Sequence, residues 1–377
     1  MNPRTLIAAI AVTALLLPIP ALGAQGRIVD TTIAAPSLAN NLYELPAQQP
    51  VAVYLPPSYD SSSNRYPVVY FLTGFGDPLY YFTAWSVYQG FSLRRSMDTL
   101  IAQGKIKEMI VVIPNGRNFM MGSFYANSPV TGNWEDFITK DLVSAIDTRF
   151  RTIPEPESRG IGGHSMGGYG AIHMGMCHPD VFGGVYALSP GLAAPGGIEK
   201  AMGFANPKIL DKRLAEMEQF AALPELRART AFISHINYLL DAGDYDAVFS
   251  YAYGAVFSPD PHGRVPFIDF PFTRTGQEIA KKPEAMRNYE RGFGDLAEKI
   301  TQYRGNMLKL KCFGIDIGTQ EENAWILEGC GYFATLLDSA SVPHQLVRFE
   351  GSHNSHIRVG IEEHLLPAFS RTLEFDR

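Results

Sequence analysis

The chain has 377 residues, 46% of them hydrophobic and 19% charged, with 35 Gly and 26 Pro, a balance that excludes a disordered or fibrous protein and exceeds what one minimal core requires. Its 32 Lys and Arg against 38 Asp and Glu give a formal charge of -6 without a basic run, which argues against nucleic acid as a partner. Three cysteines, Cys177, Cys312 and Cys330, are too few for a zinc ribbon or a disulfide framework; one bridge at most can form, with Cys312 and Cys330 the pair to examine.

Residues 1–24 (MNPRTLIAAIAVTALLLPIPALGA) read as a secretory signal peptide: Arg4, an apolar core over 6–17, Pro18 and Pro20, then small Gly23 and Ala24. The apolar stretch is shorter than the ~20 residues a spanning helix needs. The expectation is export, with 25–377 as a secreted or periplasmic catalytic domain that keeps no membrane anchor.

Segments 51–55 (VAVYL), 68–72 (VVYFL) and 109–113 (MIVVI) are short continuous apolar runs bounded by Pro, Gly and Asn. Such runs suit strands buried on both faces. A helix is expected over 134–150, where Phe137, Leu142, Ile146 and Phe150 recur at helical spacing. Strand 160–163, helix 166–177, strands 184–188, 308–315 and 345–349, and a last helix over 357–371 follow. The alternation predicts a mostly parallel central sheet with helices on both faces. Residues 191–307 break the rhythm and carry a Pro-rich, aromatic-rich piece at 258–272 (SPDPHGRVPFIDFPF). They read as a mainly helical, lid-like insertion within the same domain.

Gly163-His164-Ser165-Met166-Gly167 is a G-x-S-x-G pentapeptide between a strand signal and a helix signal. In that context the turn lifts the Ser hydroxyl clear of the sheet, and flanking glycines let the backbones pass. Such a nucleophile needs a base, and the base an orienting carboxylate. After 345–349 comes Gly351-Ser352-His353-Asn354-Ser355-His356, where His353, directly after the Gly turn, is the expected base ahead of His356. The two lack the HExxH pattern of a zinc site, so no metal is expected. Beyond 308–315 lie Asp316, Glu321 and Glu322, which the residues alone do not separate. For the oxyanion, the backbone N–H of Met166 and an N–H from Leu72-Thr73-Gly74-Phe75-Gly76, that of Phe75, are the expected donors.

With these pieces in order, the chain resembles the putative-esterase family of α/β-hydrolases, which includes esterase D, feruloyl esterases and mycolyltransferases. The matching pieces are VAVYLPPSYD, YPVVYFLTGFGD, SFYANSPVTGNWEDF, GIGGHSMGGYGAI and GSHNSH. The resemblance implies an α/β-hydrolase fold, Ser165 as nucleophile, His353 as base and Glu321, in Gly318-Thr319-Gln320-Glu321, as acid with Asp316 in reserve. It implies no cofactor, and a secreted serine carboxylesterase acting on a small-molecule or polysaccharide-linked ester. An acyltransferase, or a non-catalytic binding protein on the same fold, is the alternative. Tyr81, Trp85, Phe124 and Tyr125 are expected to line an aromatic mouth that binds substrate.

Overall fold

Val68, Tyr70 and Leu72 enter one hydrophobic core and Val69 and Phe71 another, and all five are buried. A strand with both faces covered must be apolar at every position, which is why its sequence shows no alternation. The computed structural model describes residues 25–84, 88–276 and 278–375. The expected signal peptide at 1–24 and Trp85 lie outside these residues.

Eight strands form the main sheet: β1 (Arg27–Ala34), β2 (Gln48–Leu55), β3 (Val68–Leu72), β4 (Ile110–Pro114), β5 (Arg159–His164), β6 (Gly184–Leu188), β7 (Cys312–Gly318) and β8 (Gln345–Phe349). Their order is β1-β2-β4-β3-β5-β6-β7-β8. The pairs β1–β2 and β2–β4 are antiparallel, and every pairing from β4 onward is parallel. Parallel neighbours require crossover helices, so the carboxyl ends of β3 and of β5 to β8 gather along one edge. That edge carries the Ser, the carboxylates and the His singled out above.

The strand expected at 308–315 is shifted to Cys312–Gly318. Leu308 caps the helix Leu296–Met307 and is exposed, so its apolar character belongs to a helix end. The strand β1 was not expected; RIVDTTIA is a sheet edge with alternating burial. Cys312 packs in the core beneath one face of the sheet and Cys330 in the core on the other, and all three cysteines are free. The sheet separates the two thiols, which rules out the bridge considered above.

Between β6 and β7 the chain forms the helices Pro207–Ala221, Glu225–Asp241, Tyr245–Phe257, Pro283–Phe293 and Leu296–Met307 and a hairpin of Phe272–Thr275 with Glu278–Lys281. None of it joins the main sheet. Its apolar side chains, Phe232, Tyr253 and Phe293 among them, share the core beneath β3 and β5.

Candidate active site

Ser165 sits in the turn between β5 and the helix Met166–Cys177, with φ 55° and ψ -114°. A β-carbon makes this region costly, on the order of 1–3 kcal/mol, so surrounding contacts must impose it. They do: Ser165 N donates to Leu188 O at 2.9 Å, and Ser165 O accepts from Tyr169 N and Gly191 N. The two motif glycines are required by close approach. A Cβ on Gly163 would stand 2.5 Å from Gly167 C and from Leu72 O, and one on Gly167 would run into Leu72 O. Only without them can the helix start press against the end of β3.

That contact sets Met166, whose N–H lacks an intrahelical acceptor as the first residue of its helix, beside the loop 73–76 carrying Phe75. The side chains of Phe75 and Met166 converge over Gly122, where a Cβ would stand 2.5 Å from the Phe75 ring and 2.7 Å from Met166 Sδ. Asp77 holds the loop from behind: Oδ2 accepts from Gly74 N at 3.0 Å and Oδ1 from Tyr88 OH at 2.5 Å. Burial pushes the Asp77 carboxyl up, against those two hydrogen bonds.

Two further loops are pinned together at the ends of β7 and β8. Thr319 N donates to Phe349 O, Gln320 N donates to Gly351 O, and Gly318 leaves no room for a Cβ under Gly351 O. The result sets His353 Nδ1 2.6 Å from Glu321 Oε2, with the Glu321 side chain fully buried and His353 13% exposed. Glu321 Oε1 also accepts from Asn323 N and Nδ2. Glu322 accepts from His353 N at 2.9 Å and so fixes the backbone of His353; that bond holds its carboxyl below the usual range. Asp316 is engaged elsewhere, accepting from Tyr186 OH at 2.8 Å and facing His364 Nδ1 at 2.7 Å. His356 stacks on Phe349 and meets Ser355 Oγ. Of the three carboxylates and two histidines at this edge, Glu321 and His353 are the pair whose side chains meet.

His164, next to Ser165 in the chain, also touches His353. Its ring lies 4.8 Å from that of His353, and its Nε2 is 3.1 Å from His353 O. A carbonyl only accepts, so Nε2 carries the proton. Nδ1 is buried without a partner. Burial, reinforced by the nearby His353, pushes the His164 pKa well down and keeps it neutral. His164 stands at a variable position of the pentapeptide and Asp77 just past the glycine turn, and neither carries a signal of its own in the sequence.

The expected aromatic mouth is corrected in part. Phe124 and Tyr125 are fully buried, and a side chain without exposed surface supports a site but does not line it. Tyr125 OH donates to Thr73 O, and Phe124 stacks on Phe75. Both have φ 51°, and Met121 φ 71°, so three strained residues back the loop 73–76. Tyr81 is half-buried, edge-on to Tyr80 and Tyr88. Phe249, from the helix Tyr245–Phe257, meets Phe75 at 5.1 Å between ring centroids. A cavity of about 490 Å³ opens beside the Glu321 loop, lined by Glu322, Asn323, Trp325, Arg213 and Asp244 among others.

This sheet order, with a strained Ser at the turn after β5, defines an α/β-hydrolase. The family model described as "Putative esterase" matches residues 44–222, and the resemblance to that family is borne out there. A solved ferulic acid esterase superposes with TM-score 0.60 at 19% identity, over 93% of this chain and 99% of that one. An S-formylglutathione hydrolase from Agrobacterium tumefaciens gives 0.55 at 16%, over 94% and 97%. Among curated proteins, an endo-1,4-beta-xylanase/feruloyl esterase of Xylanibacter ruminicola is 34% identical over 157 residues, 40% of this chain and 21% of its own length. An esterase of Mycobacterium tuberculosis is 33% identical over 158 residues, 39% of this chain and 30% of its own. The chain thus spans less than a third of the length of these curated relatives. Among the described residues no helix is long and apolar enough to cross a membrane.

Proposed function

We propose that this protein is a serine carboxylesterase working through Ser165, His353 and Glu321. The observation that carries the reading is the 2.6 Å contact between His353 and a fully buried Glu321, on the sheet edge that presents Ser165. His353 Nε2 takes the Ser165 proton as Oγ attacks the ester carbonyl, and Nδ1–H donates to Glu321, which stabilises the imidazolium. The amides of Phe75 and Met166 bind the oxyanion. His353 then protonates the leaving alkoxide, and the same base activates a water that releases the acid. No step calls on a metal or an organic cofactor.

The substrate reading is an aryl or polysaccharide-linked ester, in keeping with the feruloyl esterases among its relatives. The cavity beside Trp325 mixes donors and acceptors and suits a hydroxyl-rich group. The segment 191–307 acts as a lid whose Phe249 closes against Phe75. Residues 1–24 direct export and are removed. A fluorophosphonate probe with mass mapping, run beside p-nitrophenyl esters of graded chain length, tests the reading: label on Ser165 and ester turnover support it. Absence of both, or full turnover by Ser165→Ala, overturns it. Added glycerol or sugar that yields transesterified product in preference to free acid would favour acyl transfer.

A further inference from the structure

Arg117 lies in the loop leaving the carboxyl end of β4, on the edge where open α/β sheets bind ligands. Two contacts place it beside the oxyanion loop. Tyr125 OH donates to Thr73 O at 3.1 Å and fills the space over Gly116, so this stretch of chain runs against residues 73–76. Met121 O accepts from Gly76 N at 3.0 Å, and Met121 Sδ accepts from Arg117 Nη2 at 3.1 Å. Only one side chain therefore separates the guanidinium from the loop that carries Phe75, and its charge reaches both Asp77 and Tyr81.

A guanidinium offers five N–H donors in a fork matched to carboxylate or phosphate. Here the half-buried side chain has a single acceptor among the described residues, a thioether, which accepts weakly. By contrast, Arg159, Arg213, Arg229 and Arg358 each face a carboxylate within 3.0 Å, and Arg151, also half-buried, bonds the carbonyls of Tyr59 and Asn64. The nearby acid, Asp77, has each oxygen occupied, by Gly74 N and by Tyr88 OH. An arginine left with open donors at the rim of an ester-binding site, in a chain of net charge -6, is a local attractor for an anion that the protein itself does not supply.

We infer that Arg117 reads an anionic group, carboxylate or phosphate, carried by the ester close to its scissile carbonyl. The inference rests on the esterase reading and extends it to substrate class. Its test compares kcat/KM for p-nitrophenyl succinate with that for its neutral methyl ester, placing the charge in the acyl part. A second pair, carboxylated and plain p-nitrophenyl acetate, places it in the alcohol part. Charged hydrogen bonds of this kind contribute enough that one anionic member should exceed its neutral partner by at least about tenfold. The preference should be carried by KM and shrink as salt rises. Arg117→Gln should bring the two members level and Arg117→Lys keep part of the preference; because the readout is a ratio, a general loss of activity cancels.

Equal kcat/KM within both pairs, or a preference that survives in Arg117→Gln, overturns the inference. Calorimetric titration of Ser165→Ala with the same esters reads the preference without turnover. If no ester is turned over by the unaltered protein, the esterase reading fails; tighter binding of the anionic members would still support the Arg117 site, and equal binding would refute it.

Discussion

Glu321→Gln and Asp316→Asn are nearly isosteric changes with opposite expected consequences. Glu321 Oε2 lies 2.6 Å from His353 Nδ1, so the carboxylate and imidazolium charge centres are about 4 Å apart in the transition state, where attraction at an effective dielectric of about 20 is about 4 kcal/mol. That alone corresponds to roughly a thousandfold in rate. Gln can also turn its amide N–H toward Nδ1, which moves the imidazole proton to Nε2 and disables the base, extending the loss in kcat toward about 10⁴-fold. Asp316 bonds Tyr186 and His364. Its replacement removes two charge-assisted bonds in the core, about 1–3 kcal/mol each, and should lower Tm while leaving kcat within severalfold. Steady-state hydrolysis of p-nitrophenyl acetate, paired with thermal unfolding, reads both. A larger loss of kcat in Asp316→Asn than in Glu321→Gln would refute the assignment.

Further outcomes follow from the same geometry. Gly167→Ala forces a Cβ onto Leu72 O, a backbone atom that cannot swing away. It should cost about 1–3 kcal/mol of stability and displace the Met166 amide, lowering kcat by about 10²-fold or more; Gly305→Ala, with open space around it, should stabilise its helix by about 0.5–1 kcal/mol. Unchanged kcat in Gly167→Ala would remove Met166 from the oxyanion site. Away from the site, burial would push His173 down, but hydrogen bonds to Cys177 and Glu135 outweigh it and raise the group to about 9. A raised histidine contributes stability that is fully present below its unfolded pKa of about 6.5 and is lost as pH rises through about 9. Lys299, pushed down by burial to about 8, acts in the opposite sense above that pH, so the readout is the difference in Tm between the unaltered protein and His173→Gln. That difference should shrink from pH 6 to pH 9, and a constant difference would show that His173 is not charged in the fold. Finally, a reductant should leave Tm unchanged, because Cys312 and Cys330 pack on opposite faces of the sheet; a drop would reveal a bridge.

The sheet was readable because strands covered on both faces announce themselves as unbroken apolar runs, as VVYFL does. The edge strand RIVDTTIA was not, since one-sided burial mixes polar and apolar positions. The strand–turn–helix setting of Ser165 was readable from its context, and the place of His353 beyond β8 from order along the chain. Glu321 and Asp316 could not be separated from residues alone, since both follow the same strand. What separates them is direction: Asp316, still within β7, faces Tyr186 and His364, while Glu321, three residues past the strand end, turns back to His353. Phe124 and Tyr125 read as a mouth because aromatic side chains after a strand can equally line or support a site. Their left-handed backbone and complete burial are properties of the folded loop.

The central claim is that Ser165 carries the acyl group between attack and hydrolysis. Rapid acid quench during turnover of p-nitrophenyl acetate, followed by peptide mass mapping, tests it directly. The account predicts acetyl on the peptide bearing Ser165, within a burst of p-nitrophenol stoichiometric with enzyme, and none on Ser165→Ala. Acetyl on another residue, or steady turnover by Ser165→Ala, would contradict it.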